Sequence, residues 1–277
     1  MMYDLHLHSS ASDGDYAPSE VVAEAARRGL RGVSLTDHNG LWGVDEAANA
    51  AASLGITFVE GIEITARYEG LDVHVLGYSK AFARDVLTGG LAETRDGYKQ
   101  RLMDMTELCQ AAGYEKVSWE SIEGRRAHLE NPAHVSFDLA IELMEQYGLS
   151  LEEARKLSVI GGKCHVPYGD WAMSPAAAID LIHQADGIAS LAHPGTIERE
   201  GDHETLEKLI AEGVAAGLDG IEIFHPFHSE EFTTWLESIR EDKGLIATGG
   251  SDWHGQDHFK QNDARFGEIG VSTFPLL

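Results

Sequence analysis

Short apolar runs of four to six residues alternate along this chain with longer stretches whose apolar positions recur every three to four residues. Nearly every short run ends in a histidine or a carboxylate. The first, Asp4-Leu5-His6-Leu7-His8, alternates strictly, so a strand there sets His6 and His8 on one face and the leucines on the other. A polar turn with Asp13 and Asp15 follows. Pro18 and Glu20 then open a helix through Val21, Val22, Ala25 and Ala26, which Gly29 stops.

The strand–helix unit recurs. Residues 32–36 read as a strand ending in Asp37-His38, and residues 45–54 as an alanine-rich helix closed by Gly55. Residues 56–59 form a strand, the 61–64 segment leads to a buried-looking Glu63, and residues 72–77 carry His74 inside a strand. Later, residues 187–192 run into His193, residues 217–224 into His225, and residues 244–248 into Asp252 and His254. Residues 266–271 read as a final strand. Helical patterns at 175–185, 204–216 and 230–241 separate most of these runs.

Alternating β and α segments imply parallel strands with right-handed crossovers, and about seven of them suit a barrel better than an open sheet. In such barrels the functional side chains collect at the strands' C-terminal ends, where the histidines and carboxylates fall. From residue 89 to 170 the rhythm breaks into helical patterns at 94–112, 132–147 and 151–157. The expected fold is α/β: residues 1–88 and 171–277 form the barrel, and residues 89–170 a helical insertion closing over the site.

Composition narrows the class. The chain has 277 residues, enough for a substantial core, with ordinary hydrophobic (43%) and charged (24%) contents. No run approaches the roughly 20 apolar residues of a membrane span, and the N-terminus lacks a secretory pattern. Neither Cys109 nor Cys164 lies in a Cys-x-x-Cys, so neither a disulfide framework nor thiolate ligation is expected, and a cytoplasmic setting follows. A net charge of −25 argues against a broad duplex-binding face, which needs Lys and Arg. It leaves room for a small phosphorylated ligand held by metals and one or two local cations.

The strand-end groups are His6, His8, Asp13, His38, Glu63, His74, His193, Asp252 and His254. They exceed what one tetrahedral zinc needs, and suit two or three divalent ions bridged by a carboxylate. Mixed nitrogen and oxygen donors point to manganese, zinc or iron. Closely spaced metals bring the pKa of bound water toward about 7 and neutralise the oxygens of a phosphoryl transition state. Amide or lactone hydrolysis uses the same chemistry, so the donor set alone does not name the substrate.

These motifs, Asp4-Leu5-His6-Leu7-His8 with Asp13, Thr36-Asp37-His38, Gly61-Ile62-Glu63, His74, Leu191-Ala192-His193-Pro194 and Gly250-Ser251-Asp252-Trp253-His254, resemble the PHP (polymerase and histidinol phosphatase) family. The resemblance covers roughly residues 2–80 and 175–256 and is nearest to the branch of stand-alone metal-dependent phosphoesterases. It implies a distorted (β/α)7 barrel with a trinuclear site. His6, His8, Glu63 and Asp252 would hold one metal, Glu63, His74 and His193 a second, and Asp13, His38 and His254 a third. It further implies a metal-dependent phosphohydrolase of small nucleotides or sugar phosphates, with Asp252, His193 and His225 at the chemistry.

His134 falls where that branch has an Arg-Pro-x-His-like segment, and Asn131 replaces the arginine. Arg101 is the foremost local substitute among Lys99, Arg101, Arg125 and Arg126, whose bland reading is solvated helix charge. His225 and His228 read as phosphate or leaving-group contacts. His128, His165, His183, His203 and His258 read as surface or capping residues. Trp171 and Trp253 could stack on a base, though Trp253 better suits the core. Leu5, Leu7, Val33, Val75 and Leu191 are expected core.

Nucleoside 3′,5′-bisphosphates are the leading substrates, followed by a ribose cyclic phosphate diester and histidinol phosphate. A 5′–3′ exonuclease on short RNA or DNA would need a basic track that this acidic chain lacks, so long nucleic acid is not expected as a partner. A regulatory relative would have lost ligands, and none is lost. A carbon–nitrogen hydrolase would show a lysine at a strand end, and none falls there. A monomer or a homodimer suits a barrel of this size.

Overall fold

Strand β1 is only Tyr3–Asp4, because the chain beyond it belongs to the site. The computed structural model describes residues 2–130, 132–200, 202–255 and 260–276; Asn131 and His258 lie outside these. After β1 come α1 (Pro18–Arg27), β2 (Gly32–Leu35), α2 (Val44–Leu54), β3 (Thr57–Tyr68) and β4 (Leu71–Ser79). Six helices follow: α3 (Arg84–Gly90), α4 (Ala92–Ala111), α5 (Trp119–Gly124), α6 (Ser136–Tyr147), α7 (Leu151–Ser158) and α8 (Pro175–Gln184). The chain ends through β5 (Ile188–Leu191), α9 (Pro194–Glu200), α10 (His203–Ala215), β6 (Gly220–Phe224), α11 (Glu230–Lys243), β7 (Ile246–Gly249) and α12 (Lys260–Arg265).

The seven strands stand in chain order in one sheet. Leu5 N–H donates to Gly249 O at 3.1 Å and His8 N–H to Trp253 O at 3.0 Å, bringing the last strand back to the first. The sheet therefore curls into a nearly closed α/β barrel. That return requires Gly250: a Cβ there would lie 2.4 Å from the backbone nitrogen of His6.

Three sequence expectations need correction. The strands are not all parallel, since β4 pairs antiparallel with both β3 and β5. Only Glu69 and Gly70 separate β3 from β4, with φ of 49° and 91°, the two-residue hairpin turn that needs positive φ at both positions. Residues 266–271 are not a strand: α12 ends at Arg265, a turn and bend occupy 266–270, and only Val271 pairs, antiparallel with Tyr3. The cysteines do form a disulfide, Cys109–Cys164, across 55 residues.

Leu5, Leu7, Val33, Val75 and Leu191 are each at most 2% exposed. Leu5, Val59, Leu76, Tyr78 and Ala192 pack into one core cluster. The helical segment has its own core, in which Leu102, Met105, Ile122, Leu139 and Leu143 surround the disulfide. Trp253 stacks between Tyr16 and Phe266 and belongs to the core. No helix among the described residues is long and apolar enough to cross a membrane.

Candidate metal centre

Glu63 is the hub of the site. It lies on β3 next to an isolated bridge with His38, and is 1% exposed. Its Oε1 stands 2.8 Å from His74 Nδ1, 3.0 Å from His193 Nε2 and 3.4 Å from His6 Nε2. Its Oε2 stands 3.2 Å from His8 Nε2 and 3.3 Å from His38 Nδ1. Asp252 Oδ1 lies 3.4 Å from His6 Nε2 and 3.2 Å from His8 Nε2. Asp13 faces His254 Nε2 at 3.4 Å and His38 Nε2 at 3.6 Å. All nine strand-end donors are therefore brought together.

The donor atoms form overlapping groups whose members lie within 4.8 Å of one another: His8, Asp13, His38 and His254; His6, Glu63 and His193; His6, His8 and Asp252; and His38, Glu63 and His74. The buried nitrogens His6 Nε2, His8 Nε2 and His38 Nδ1 have no hydrogen-bond partner. Unpaired imidazole nitrogens aimed at shared carboxylates, with no thiolate, fit divalent cations. Electrostatics agrees. Burial alone would raise the carboxyl of Asp13, but His254 and His38 outweigh it and hold it well below the usual carboxylate range. Glu63 and Asp252 behave alike against burial, through His74, His38 and His6 for the one and His6 and His254 for the other. Burial opposes a charge on His8, yet Asp252 and Glu63 lift it to about 10, whereas burial drives His38 down to about 3.

The backbone is bent to make this possible. His193 and Asp252 have φ of 24° and 52°, a region non-glycine residues seldom adopt and one associated with functional sites.

Two supporting carboxylates escaped the sequence reading. Glu222, fully buried on β6, lies 3.1 Å from His6 Nδ1 and accepts the backbone N–H of His193 at 2.7 Å. It thereby orients two candidate ligands at once. A lone carboxylate inside the apolar run Gly220-Ile221-Glu222-Ile223-Phe224 was the available signal. Asp37 accepts from Ser9 N–H, Ser9 Oγ and Ser12 Oγ, each at 2.7 Å, and so sets the loop that carries Asp13.

The other candidates disperse. His225 Nδ1 accepts Phe227 N–H at 3.3 Å, which leaves Nε2–H to point at Asp252 Oδ2, 3.4 Å away. His228 is spent on backbone, accepting Gly195 N–H at Nε2 and lying 2.9 Å from Ile223 O at Nδ1. His134 is buried beside Trp119, its Nδ1 3.8 Å from Asp138. Neither His134 nor His228 lines the cavity described next. Lys99 pairs with Glu123, Arg125 with Glu142 and Glu145, and Arg126 with Asp138. Arg126 also donates to Ser12 O, tying the helical segment to the Asp13 loop. His183 pairs with Asp219 and His203 with Glu207, away from the site.

A cavity of about 580 Å³ opens over the cluster. One end is lined by the candidate donors Asp13, His38, Glu63, His74, His193 and Asp252, and its roof by residues of α4, α6 and α7, Arg101 and His165 among the lining groups.

A model of the PHP domain matches residues 4–161. The chain is 32% identical over 253 residues to a 3′,5′-nucleoside bisphosphate phosphatase of Chromobacterium violaceum, covering 91% of this chain and 86% of that protein. It is 32% identical to a phosphoribosyl 1,2-cyclic phosphate 1,2-diphosphodiesterase of Eggerthella lenta (92% and 95% covered). It is 30% identical to a 5′–3′ exoribonuclease of Haemophilus influenzae (91% and 89% covered). Among solved structures, one from Chromobacterium violaceum described as an amidohydrolase with bound sulfate superposes with TM-score 0.84 at 29% identity, covering 100% of this chain and 93% of that one. One from Bifidobacterium adolescentis, assigned as a metal-dependent phosphoesterase, gives 0.79 at 28% identity, with 91% and 87% covered.

Proposed function

The chain belongs to the PHP domain family of metal-dependent phosphoesterases, and from that premise we propose that it removes phosphate from small nucleotides, nucleoside 3′,5′-bisphosphates first among them. The observation that carries this reading is the convergence of nine donor side chains at one end of a roofed cavity of about 580 Å³, a volume suited to one small ligand. The relative named as a bisphosphate phosphatase supports the choice of substrate. The helical segment 89–170 acts as the lid of the site.

His6, His8, Asp13, His38, Glu63, His74, His193, Asp252 and His254 would hold two or three divalent ions, manganese, zinc or iron. Such ions supply Lewis acidity toward phosphoryl oxygens and an acidified water. The chain's own part is positional. Glu63 faces five imidazoles and so keeps the ligand groups in one cluster. His225 presents its Nε2 proton to Asp252, which keeps that carboxylate ionised and aimed at His6 and His8. His193, at the cavity wall, turns Nε2 toward Glu63 at 3.0 Å and Nδ1 toward Thr196 Oγ1 at 3.0 Å, so that its ring is fixed in place for holding an ion.

A second reading, 5′–3′ trimming of short RNA, is favoured by one feature. Beyond Arg67 and Tyr168 the cavity meets a further hollow of about 630 Å³, room for a longer ligand. The test is phosphate release, with manganese supplied, from a nucleoside bisphosphate, monophosphates, a ribose cyclic phosphate, histidinol phosphate and a short 5′-phosphorylated RNA. Release chiefly from the bisphosphate supports the proposal. Release from the RNA alone replaces it with the second reading, and silence across the panel removes both.

A further inference from the structure

Glu63 and His74 lie within β3 and β4, where the sheet itself fixes them. Asp13, His38 and His254 lie on loops beyond the ends of β1, β2 and β7. The donor group they form with His8 therefore depends on what holds those three loops. Part of the support comes from the barrel. Asp37 ties the first loop to the second through Ser9 and Ser12, and Asp15 N–H donates to His254 O at 2.8 Å, joining the first to the third.

The rest comes from the helical segment, which meets each of the three loops with one residue. Arg126 is 3% exposed, and Asp138 holds its Nη2 at 2.6 Å and its Nη1 at 2.9 Å. Its Nε donates to Ser12 O, in the peptide that leads into Asp13. Glu130 O accepts the Trp42 Nε1–H at 3.0 Å. A Cβ on Gly40 would strike the Trp42 ring, so that contact bears on the loop two residues beyond His38. Phe137, on α6, sets its ring edge-on to His254, with centres 6.4 Å apart.

Of these contacts, the one made by Arg126 acts nearest to a donor atom. Its charge is matched by Asp138, so it brings little net field to the cluster and is no rival to a bound cation. What it offers the barrel is the Nε–H. Holding Ser12 O fixes the peptide plane before Asp13, and with it the direction in which the Asp13 side chain leaves the backbone. A ligand set works only when its members are held within about 0.5 Å of their productive geometry.

We propose that Arg126 is a positioning residue for one metal position: by holding Ser12 O it sets Asp13, so that the ion held by His8, Asp13, His38 and His254 binds only when the helical segment is docked on the barrel. The segment would then be part of the metal centre as well as its roof. The proposal rests on the reading of these donors as metal ligands, and is independent of which phosphoester is cleaved.

Two variants remove the donor to Ser12 O by different routes. Arg126→Met with Asp138→Asn takes away both charges together and strands no buried ion. Arg126→Lys keeps a charge for Asp138 but has only one nitrogen, which leaves Ser12 O unserved. Asp13→Asn serves as the reference for loss of this position. Cys109→Ala with Cys164→Ala loosens the core of the same segment without touching Arg126, and so controls for stability alone.

Manganese bound per chain is counted by elemental analysis, and its affinity is measured by competition with a chelator, with circular dichroism to verify each fold. Both Arg126 variants should lose one ion per chain, or hold it at least about tenfold more weakly, as Asp13→Asn does. The cysteine variant should keep it. Wild-type occupancy and affinity in Arg126→Lys, or in the charge-free pair, overturn the proposal. So does an equal loss in the cysteine variant, or an Asp13→Asn protein that loses no ion. Hydrolysis is not read in this experiment. A protein that binds its ions as expected and cleaves nothing removes the function proposed above and leaves this inference standing.

Discussion

Replacing Glu222 by glutamine leaves the shape of the site intact and changes one charge. Glu222 is fully buried, and its two oxygens meet His6 Nδ1 at 3.1 Å and the backbone N–H of His193 at 2.7 Å. If His6 Nε2 holds an ion among Glu63 and Asp252, its Nδ1 carries a proton, so both groups facing Glu222 are donors. A glutamine offers one acceptor oxygen and one NH2, and sets a donor against a donor at one of the two contacts. It also withdraws the negative charge that makes the His6 ring a better base. Loss of such a partner lowers metal affinity by about 10- to 100-fold, or about 1.4–2.8 kcal/mol. The assay is competition between the protein and a chelator of known affinity at constant pH, with circular dichroism to verify the fold. A Glu222→Gln protein that keeps wild-type affinity and stoichiometry would refute the argument.

Asp138→Asn leaves Arg126 buried without its partner, at a cost of about 3–5 kcal/mol read from denaturant melts. Burial alone would raise the Asp138 carboxyl, but Arg126 outweighs it and lowers it below the usual range. Its stabilising contribution is therefore present above the unfolded value, near pH 4, and is lost as pH falls through the lower folded value. The gap in Tm between wild type and Asp138→Asn should narrow in acid, and a constant gap would contradict that linkage. Breaking the Cys109–Cys164 crosslink as the double alanine variant should cost about 4 kcal/mol on the chain-entropy model for a separation of 55 residues. Equal Tm values for that variant and the oxidised wild type would show the crosslink to be thermodynamically idle. Glu63→Gln should deplete metal content across the cluster with the barrel still folded; unchanged content by elemental analysis would remove Glu63 from its place as hub.

What could be read in advance follows from how locally each feature is encoded. The clustering of the candidate donors was legible because strand ends in an α/β barrel are set by short-range alternation, and His6, His38, His193 and Asp252 each close an apolar run. The reversal at β4 was also local, encoded by Glu69-Gly70, but a run of strand–helix units masked it. Glu222 went unassigned because a buried carboxylate makes sense only once the ring nitrogen it serves is in view. The Cys109–Cys164 pairing depends on how α4 meets the chain after α7, which spacing does not reveal. The same holds for the basic residues of the helical segment. Lys99, Arg101, Arg125 and Arg126 look alike in sequence, and only packing shows that three of them are neutralised and one is not.

The central claim is that one cluster of nine side chains holds the ions and performs phosphoester hydrolysis. Its most direct test is phosphate release from a nucleoside 3′,5′-bisphosphate by the chelator-stripped protein during stepwise addition of manganese, with bound metal counted in parallel. The account predicts no release from the stripped protein, and activity that rises as two or three ions per chain bind. Release that persists after stripping, or fully loaded protein that hydrolyses no phosphoester, would contradict it.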